Sequence, residues 1–172
     1  MTNSDTQYRA PLCLAVKIIT ALSLVLLLGV SVYGAVFFSK AADPLFRLSI
    51  VVLPIVIILG TLPFLVRGFV LGSGELRVQR LGWQNRFALS EVVSVEINPE
   101  ALRGSIRLCG SGGLFGFFGW FWNKQLRIYR AYGTDPKLAV IIRLRQRTIV
   151  VTPENPERFV AELKSQSNLP KG

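Results

Sequence analysis

The side chains of this sequence that could hold a ligand are aromatic and basic. Six aromatic residues fall within residues 115–122, shortly after the glycine-rich run Gly110-Ser111-Gly112-Gly113. They are Phe115, Phe117, Phe118, Trp120, Phe121 and Trp122. Tryptophan and phenylalanine close to a cation suit the boundary of a lipid bilayer, where a ring can be part apolar and part wet. The segment is therefore the first candidate binding surface.

Three interpretations of this aromatic segment remain open, and in each we expect it to be a loop. As a helix, residues 114–122 would span only about 14 Å, which is too short to cross a bilayer. The loop could dip into the inner leaflet of a membrane. It could instead fold over the open end of a small barrel and complete its core, or contact another protein or the helices of its own chain.

Basic residues form the second candidate set. The chain has 20 Lys and Arg against 10 Asp and Glu. A basic residue placed next to an anionic leaflet contributes about 1 kcal/mol of attraction. The alternative is a solvated basic surface that merely satisfies the rules of membrane topology. The candidate contacts to anionic lipid are Arg80, Arg86, Lys124, Arg127 and Arg130.

Composition argues against catalysis and against metal or nucleotide binding. The chain has no histidine and two cysteines, which leaves no Ser–His or Cys–His nucleophile and no imidazole or four-cysteine metal site. The glycine run lacks a following Gly-Lys-Ser/Thr, and Phe115 stands where a dinucleotide-binding fingerprint needs glycine. No pattern typical of a nucleic-acid-binding domain is present. We therefore expect no enzyme activity, cofactor, metal or nucleic-acid partner.

The elements that must position these residues begin with two uncharged segments, residues 18–39 and 48–66. A helix needs about 20 apolar residues to cross the hydrocarbon layer, and both segments meet that length. The sequence thus predicts a transmembrane hairpin joined by a short external loop at 40–47. Residues 1–17 form an N-terminal tail on the cytoplasmic side.

The charges that flank the hairpin predict its orientation. Six basic residues lie close to its two ends, and two lie in the connecting loop. By the positive-inside rule, both termini are cytoplasmic. The competing interpretation of the first segment is a signal peptide, with Ser39 and Ala41 supplying the small side chains for cleavage after Ala41. The apolar stretch is longer than in most signal peptides, which favours a retained helix.

Alternation of apolar and polar residues dominates the rest of the chain and predicts seven short strands. Their apolar positions are Leu76 and Val78; Phe87 and Leu89; Val93, Val95 and Ile97; Ile106 and Leu108; Leu126, Ile128 and Tyr132; Leu138, Val140, Ile142 and Leu144; and residues 148–151.

A helix follows the last strand. Asn155 is a good N-cap, Pro156 suits the first helical position and Glu157 suits the positive end of the helix dipole. Phe159 and Leu163 give the helix an apolar stripe. Residues 166–172 form a C-terminal tail.

Seven antiparallel strands followed by one helix is the order of the pleckstrin-homology (PH) superfold. Residues 148–163, with Thr-Pro-Glu-Asn-Pro-Glu and Phe-Val-x-x-Leu, resemble the end of bacterial PH-like domains. Residues 113–135, with Gly-Leu-Phe-Gly-Phe-Phe-Gly, Asn-Lys and two tyrosines, resemble a membrane-anchored subgroup of them. The resemblance covers about residues 68–165.

The resemblance implies an α+β membrane protein, in which a two-helix transmembrane hairpin precedes a PH-like seven-stranded antiparallel barrel with one C-terminal helix. It implies a bacterial inner-membrane, multi-pass location and no known enzyme activity. We expect a module that binds or scaffolds at the cytoplasmic membrane surface, through anionic lipid, another membrane protein or self-association. The alternative is an accessory or regulatory subunit of a membrane enzyme or transporter. The loop at 80–86, where eukaryotic PH domains hold inositol phosphates, carries only two arginines.

Overall fold

The computed structural model describes residues 5–37 and 43–167, which form three α-helices and ten β-strands. The helices are α1 (Leu14–Phe37), α2 (Pro44–Thr61) and α3 (Pro156–Gln166). The strands are β1 (Thr6–Arg9), β2 (Val66–Gly72), β3 (Glu75–Arg80), β4 (Gln84–Ala88), β5 (Val92–Ile97), β6 (Ile106–Gly113), β7 (Gly116–Asn123), β8 (Arg127–Gly133), β9 (Val140–Leu144) and β10 (Thr148–Val151).

The strands form two separate sheets. The first is antiparallel in the order β1-β2-β3-β4, and the second has the order β5-β9-β10-β8-β7-β6. Within the second sheet β10 pairs in parallel with β8, and the other pairs are antiparallel. The prediction of a seven-stranded antiparallel barrel is therefore wrong in strand number, in closure and in the direction of one strand pair.

The three strands that the sequence analysis missed, β1, β2 and β7, lack a separate alternation of apolar and polar residues. β1 is only four residues long, and β2 continues almost directly from the apolar α2 segment, so neither shows a separate alternating pattern. β7 contains two glycines and five apolar or aromatic side chains in its eight residues, a composition that also suits a buried loop. The other seven strands were predicted.

The main core lies between the two sheets and α3. Val140, Ile142 and Leu144 point into it from β9, as the alternation predicted. A second cluster covers the opposite face of the larger sheet and includes Ile141 of the same strand. The central strands are therefore buried on both faces. Of the predicted apolar positions of β8, Leu126 belongs to the second cluster whereas Ile128 is exposed, so the two do not share a face.

Helix α3 begins where the sequence predicted, with Asn155 as its cap residue and Pro156 in its first turn. Phe159 and Leu163 are fully buried in the main core. The helix stays attached because this apolar stripe covers the end of the space between the sheets, in contact with β2 and β5.

Helices α1 and α2 form an antiparallel hairpin whose side chains are mostly exposed. Ser31 donates a hydrogen bond of 3.2 Å to the carbonyl oxygen of Val51, and Gly34 lets α1 approach Ile50 closely. The two segments Leu14–Phe37 and Pro44–Phe64 are long and apolar enough to cross a membrane. The proposed cleavage residues Ser39 and Ala41 lie outside the described residues.

The segment before α1 is part of the β domain, although the sequence analysis treated it as a tail. Strand β1 pairs with β2, with Tyr8 opposite Phe69. The Tyr8 hydroxyl donates a hydrogen bond of 2.5 Å to Glu162 on α3, and its ring meets Phe159 edge-on at 5.1 Å. The chain thus enters the same domain before α1 and after α2.

Candidate functional site

The aromatic segment is a strand pair and not the predicted loop. Strands β6 and β7 form a hairpin in which Gly110 faces Gly119, both with positive φ of 115° and 121°. A Cβ on Gly110 would overlap the Phe118 carbonyl oxygen, and one on Gly119 would overlap the Cys109 carbonyl oxygen. The facing glycines therefore let the two backbones approach more closely than any residue with a side chain would allow.

Because β7 is extended, its aromatic residues alternate between the two faces of the sheet. Phe121 is 5% exposed and packs on Tyr129 in the second core, and Phe117 lies at the edge of the same cluster. Phe118, Trp120 and Trp122 are on the opposite face. The aromatic side chains of β7 thus divide between two faces; on the second face Phe118 is buried, whereas Trp120 is 41% exposed.

The tip of the hairpin is attached to α1. The backbone N–H of Phe115 donates a hydrogen bond of 3.0 Å to the Thr20 hydroxyl, and that hydroxyl donates to the Gly113 carbonyl oxygen at 3.5 Å. Phe115 has a φ of +61°, which turns the chain into β7. Gly113 packs close to Ile19. The tip therefore lies beside the second turn of an exposed apolar helix.

Residues at the end of α2 cover the other face of the hairpin. Phe64 stacks on Phe118, with ring centroids 5.6 Å apart, and meets Trp83 edge-on at 5.0 Å. A cavity of about 410 Å³ lies between the end of α2 and the larger sheet. It is lined by Gly60, Thr61, Phe64, Arg80, Cys109, Gly110, Ser111, Phe118, Gly119, Trp120 and Arg130.

Arg80 enters this cavity from the end of β3 and is only 7% exposed. Its guanidinium carbon lies 4.9 Å from the ring centroid of Tyr132, and 5.8 Å from those of Phe64 and Trp83. Burial lowers the pKa of Arg80 from its usual value; the hydroxyl of Tyr132 opposes that shift and the charge of Arg130 adds to it. Its Nε has no hydrogen-bond partner among the described residues.

Arg130 enters the same cavity from β8. Its guanidinium carbon lies 5.3 Å from the Tyr132 ring centroid and 5.6 Å from that of Trp120, its neighbour across the β7–β8 ladder. The Nε of Arg130 and the hydroxyl of Tyr132 also lack a partner within the described part of the chain. Burial raises the pKa of Tyr132, and the nearby arginines oppose that rise.

The other predicted basic residues lie elsewhere. Arg86 is exposed on β4, opposite Arg77. Lys124 and Arg127 are exposed at the far end of β7, about 24 Å from the hairpin tip at about 3.4 Å per residue. The structure thus brings Arg80 and Arg130 together and separates them from the other three.

No group of three or more histidine, cysteine, aspartate or glutamate side chains is placed to hold a metal ion in residues 5–37 and 43–167. Cys13 and Cys109 are free thiols. The residues that sequence reasoning missed are Thr20, Phe64 and Tyr132, whose ring contacts both Arg80 and Arg130. Thr20 and Phe64 lie within or beside apolar helices, where nothing in the sequence indicates which side chain meets the β domain.

A β domain whose core is covered by a C-terminal helix is consistent with the PH-like class. A family model of the bacterial PH domain matches residues 67–167, more than half of the chain. The chain therefore belongs to the bacterial PH domain family, which confirms the resemblance. No curated protein and no solved structure matches the chain significantly.

Proposed function

We propose that the protein is a non-catalytic, membrane-anchored PH-like module that binds or scaffolds at the cytoplasmic surface of the bacterial inner membrane. The observation that carries this proposal is the direct attachment of the β domain to an apolar helix hairpin. Thr20 of α1 bonds the hairpin tip at Phe115, and Phe64 after α2 stacks on Phe118. The domain is therefore held against the end of the anchor and is not suspended on a linker.

The exposed helix surfaces support the anchor. Apolar side chains such as Leu22, Val25 and Leu53 are more than half exposed along both helices. Monomeric soluble proteins rarely leave apolar surface of this extent uncovered. A bilayer covers such surface, and each helix satisfies its own backbone hydrogen bonds within it.

Strand β1 supports a topology with both ends on one side. It precedes α1 yet pairs with β2, which follows α2. A spanning hairpin returns the chain to the side from which it entered, so the two strands can meet. Cleavage after Ala41 would remove β1 together with its contact between Tyr8 and Glu162. The excess of basic residues near both ends supports the cytoplasm as that side.

The surface of the larger sheet supports the second candidate, an accessory or regulatory subunit of a membrane enzyme or transporter. Ile106 and Ile128 are each 59% exposed, and both lie opposite Trp122 in the β6-β7-β8 register. The smaller sheet does not cover these two exposed isoleucines. A protein partner or a second copy of the chain would bury them.

Thiol labelling of the full chain in its own membrane tests the location. A Cys13→Ser variant leaves exposed Cys109 as its single thiol. We expect a membrane-impermeant maleimide to label it in inside-out vesicles and not in intact cells. Labelling in intact cells, or release of the protein by alkaline carbonate, would contradict the proposal. Stoichiometric recovery of a membrane enzyme with the full chain would favour the subunit function.

A further inference from the structure

We propose that the cavity between the end of α2 and the larger sheet is a binding site for the phosphate group of an anionic phospholipid, held by Arg80 and Arg130. This inference rests on the proposed function, because it places the cavity at the membrane surface. It goes further by naming the site, the chemical group and the residues that hold it.

The first argument is uncompensated charge. Neither Arg80 nor Arg130 forms a salt bridge with a described residue; the two ion pairs found there join Arg77 to Asp5 and Arg103 to Glu100. The lining of the cavity contains no carboxylate. A cation removed from water without an anionic partner is costly, and aromatic rings offset only part of that cost. An anion that enters the cavity supplies the missing partner.

The second argument is convergence of hydrogen-bond donors. Both guanidinium groups flank the ring of Tyr132, at 4.9 and 5.3 Å from its centroid. The Nε atoms of Arg80 and Arg130 and the hydroxyl of Tyr132 are all buried and without partners in the described residues. Guanidinium groups bind phosphate oxygens through paired, charge-assisted hydrogen bonds. Two guanidinium groups that line one cavity suit a tetrahedral oxyanion.

The third argument is the position of the cavity. Gly60 and Thr61 of α2 line one side, and a Cβ on Gly60 would meet no atom within 4 Å. The cavity is therefore open toward the apolar face of the helix. A phospholipid can place its phosphate between the arginines while its acyl chains follow α2. A volume of about 410 Å³ lies within the range of ligand sites, about 300–1,000 Å³.

The charge of the site favours an anionic lipid over a zwitterionic one. Two arginines face the cavity, and its lining includes no acidic side chain to receive a headgroup amine. A choline or ethanolamine group would add a third cation to the same space. A phosphatidylglycerol headgroup brings only negative charge and hydroxyl groups, which the arginines and Ser111 can bind.

The test uses the full chain in nanodiscs of zwitterionic lipid with a small fraction of phosphatidylglycerol, followed by native mass spectrometry. We expect one anionic lipid to remain bound to the wild type. Arg80→Gln and Arg130→Gln should each lower its retention by about tenfold or more, because each removes charge-assisted hydrogen bonds. The matched control Arg86→Gln removes one exposed charge and should retain the lipid. Equal loss in all three variants would show diffuse attraction and overturn the site.

A second measurement leaves Arg80 and Arg130 in place, so it does not depend on how the two arginine variants fold. Trp83 lies against Arg80 and Trp120 lies against Arg130, so both report on the cavity of the unmodified site. In a Trp122→Phe chain, phosphatidylglycerol with brominated acyl chains should quench their fluorescence more than brominated phosphatidylcholine at the same mole fraction. Equal quenching by the two lipids would contradict the proposal.

A third experiment distinguishes the phosphate of a lipid from soluble phosphate as the ligand of the cavity. Inorganic phosphate at millimolar concentration should neither stabilise the chain in zwitterionic nanodiscs nor displace the bound lipid. Stabilisation by inorganic phosphate that depends on Arg80, with no retention of lipid, would overturn the lipid as the source. Thiol labelling from outside the cell would reject the proposed function itself, whereas lipid retention by Arg80→Gln in a correctly inserted chain would reject only this site.

Discussion

The hydroxyl oxygen of Thr20 accepts a hydrogen bond of 3.0 Å from the backbone N–H of Phe115. These residues belong to the apolar helix α1 and to the tip of the β6–β7 hairpin, and they are 95 positions apart in the chain. Thr134 strengthens the junction, since its hydroxyl donates to the Pro11 carbonyl oxygen at 2.8 Å and its own carbonyl accepts from Cys13. The β domain and the helix hairpin are thus one structural unit.

The Thr20 contact predicts a local effect on the hairpin tip. Thr20→Val removes the acceptor of the Phe115 N–H, a loss of about 1 kcal/mol or roughly fivefold in local opening. The Phe115 amide should exchange with deuterium about that much faster, while global unfolding changes little. The control is Thr61→Val, because the Thr61 hydroxyl bonds only carbonyl oxygens of its own helix. Equal exchange rates in the wild type and Thr20→Val would show that the contact does not hold the tip.

Because the aromatic residues of β7 lie on two different faces, replacing them with alanine should lower the free energy of unfolding by different amounts. Phe121→Ala opens a cavity in the second core and should lower the free energy of unfolding by about 3–5 kcal/mol. Trp120 is 41% exposed, so Trp120→Ala should cost about 1 kcal/mol, mainly its contact with Arg130. Thermal unfolding of both variants in the same detergent measures the difference. If Trp120→Ala were the more destabilising change, the assignment of the faces would be wrong.

The facing glycines predict a strong intolerance to side chains. Gly110→Ala places a Cβ onto the Phe118 carbonyl oxygen at positive φ, which should destabilise the domain by more than about 3 kcal/mol. Gly74 has a φ of 75° but open space around it, so Gly74→Ala carries only backbone strain of about 1–2 kcal/mol. Denaturant unfolding should rank the variants in that order, and the reverse order would contradict the close approach of β6 and β7.

The bond between β1 and α3 predicts loss of stability at high pH. Burial and the hydrogen bond to Glu162 raise the pKa of Tyr8 to about 12, from 10.0. The unfolded tyrosine releases its proton first, so the stabilisation is complete below pH 10 and is lost as the pH rises toward 12. Tyr8→Phe should weaken this dependence between pH 10 and 12, measured by the melting temperature. The raised pKa of Tyr132 leaves part of the dependence in place.

Several features could be predicted from the sequence because local physics determines them. Uncharged stretches of this length predict helices that are long and apolar enough to cross a membrane. The alternation at Val140, Ile142 and Leu144 predicted a strand and the face that it buries. The start of α3 at Asn155 and Pro156 matches the residue types favoured at these two positions, although the Asn155 side chain forms no capping hydrogen bond. Arg80 and Arg130 were recognised as candidate contacts from their type alone.

The tertiary structure decided which of these residues meet. The pairing of β1 with β2, and the parallel pairing of β8 with β10, join segments whose own residues carry no signal for the partner. Alternating strand geometry divided the aromatic segment between two faces, which composition cannot show. Arg80 and Arg130 are 50 positions apart, and only the packing of β3, β8 and the end of α2 around Tyr132 places both in one cavity. Charge and aromaticity are properties of single residues and can be read from the sequence. A cavity depends on the distances between residues, and long-range packing sets those distances.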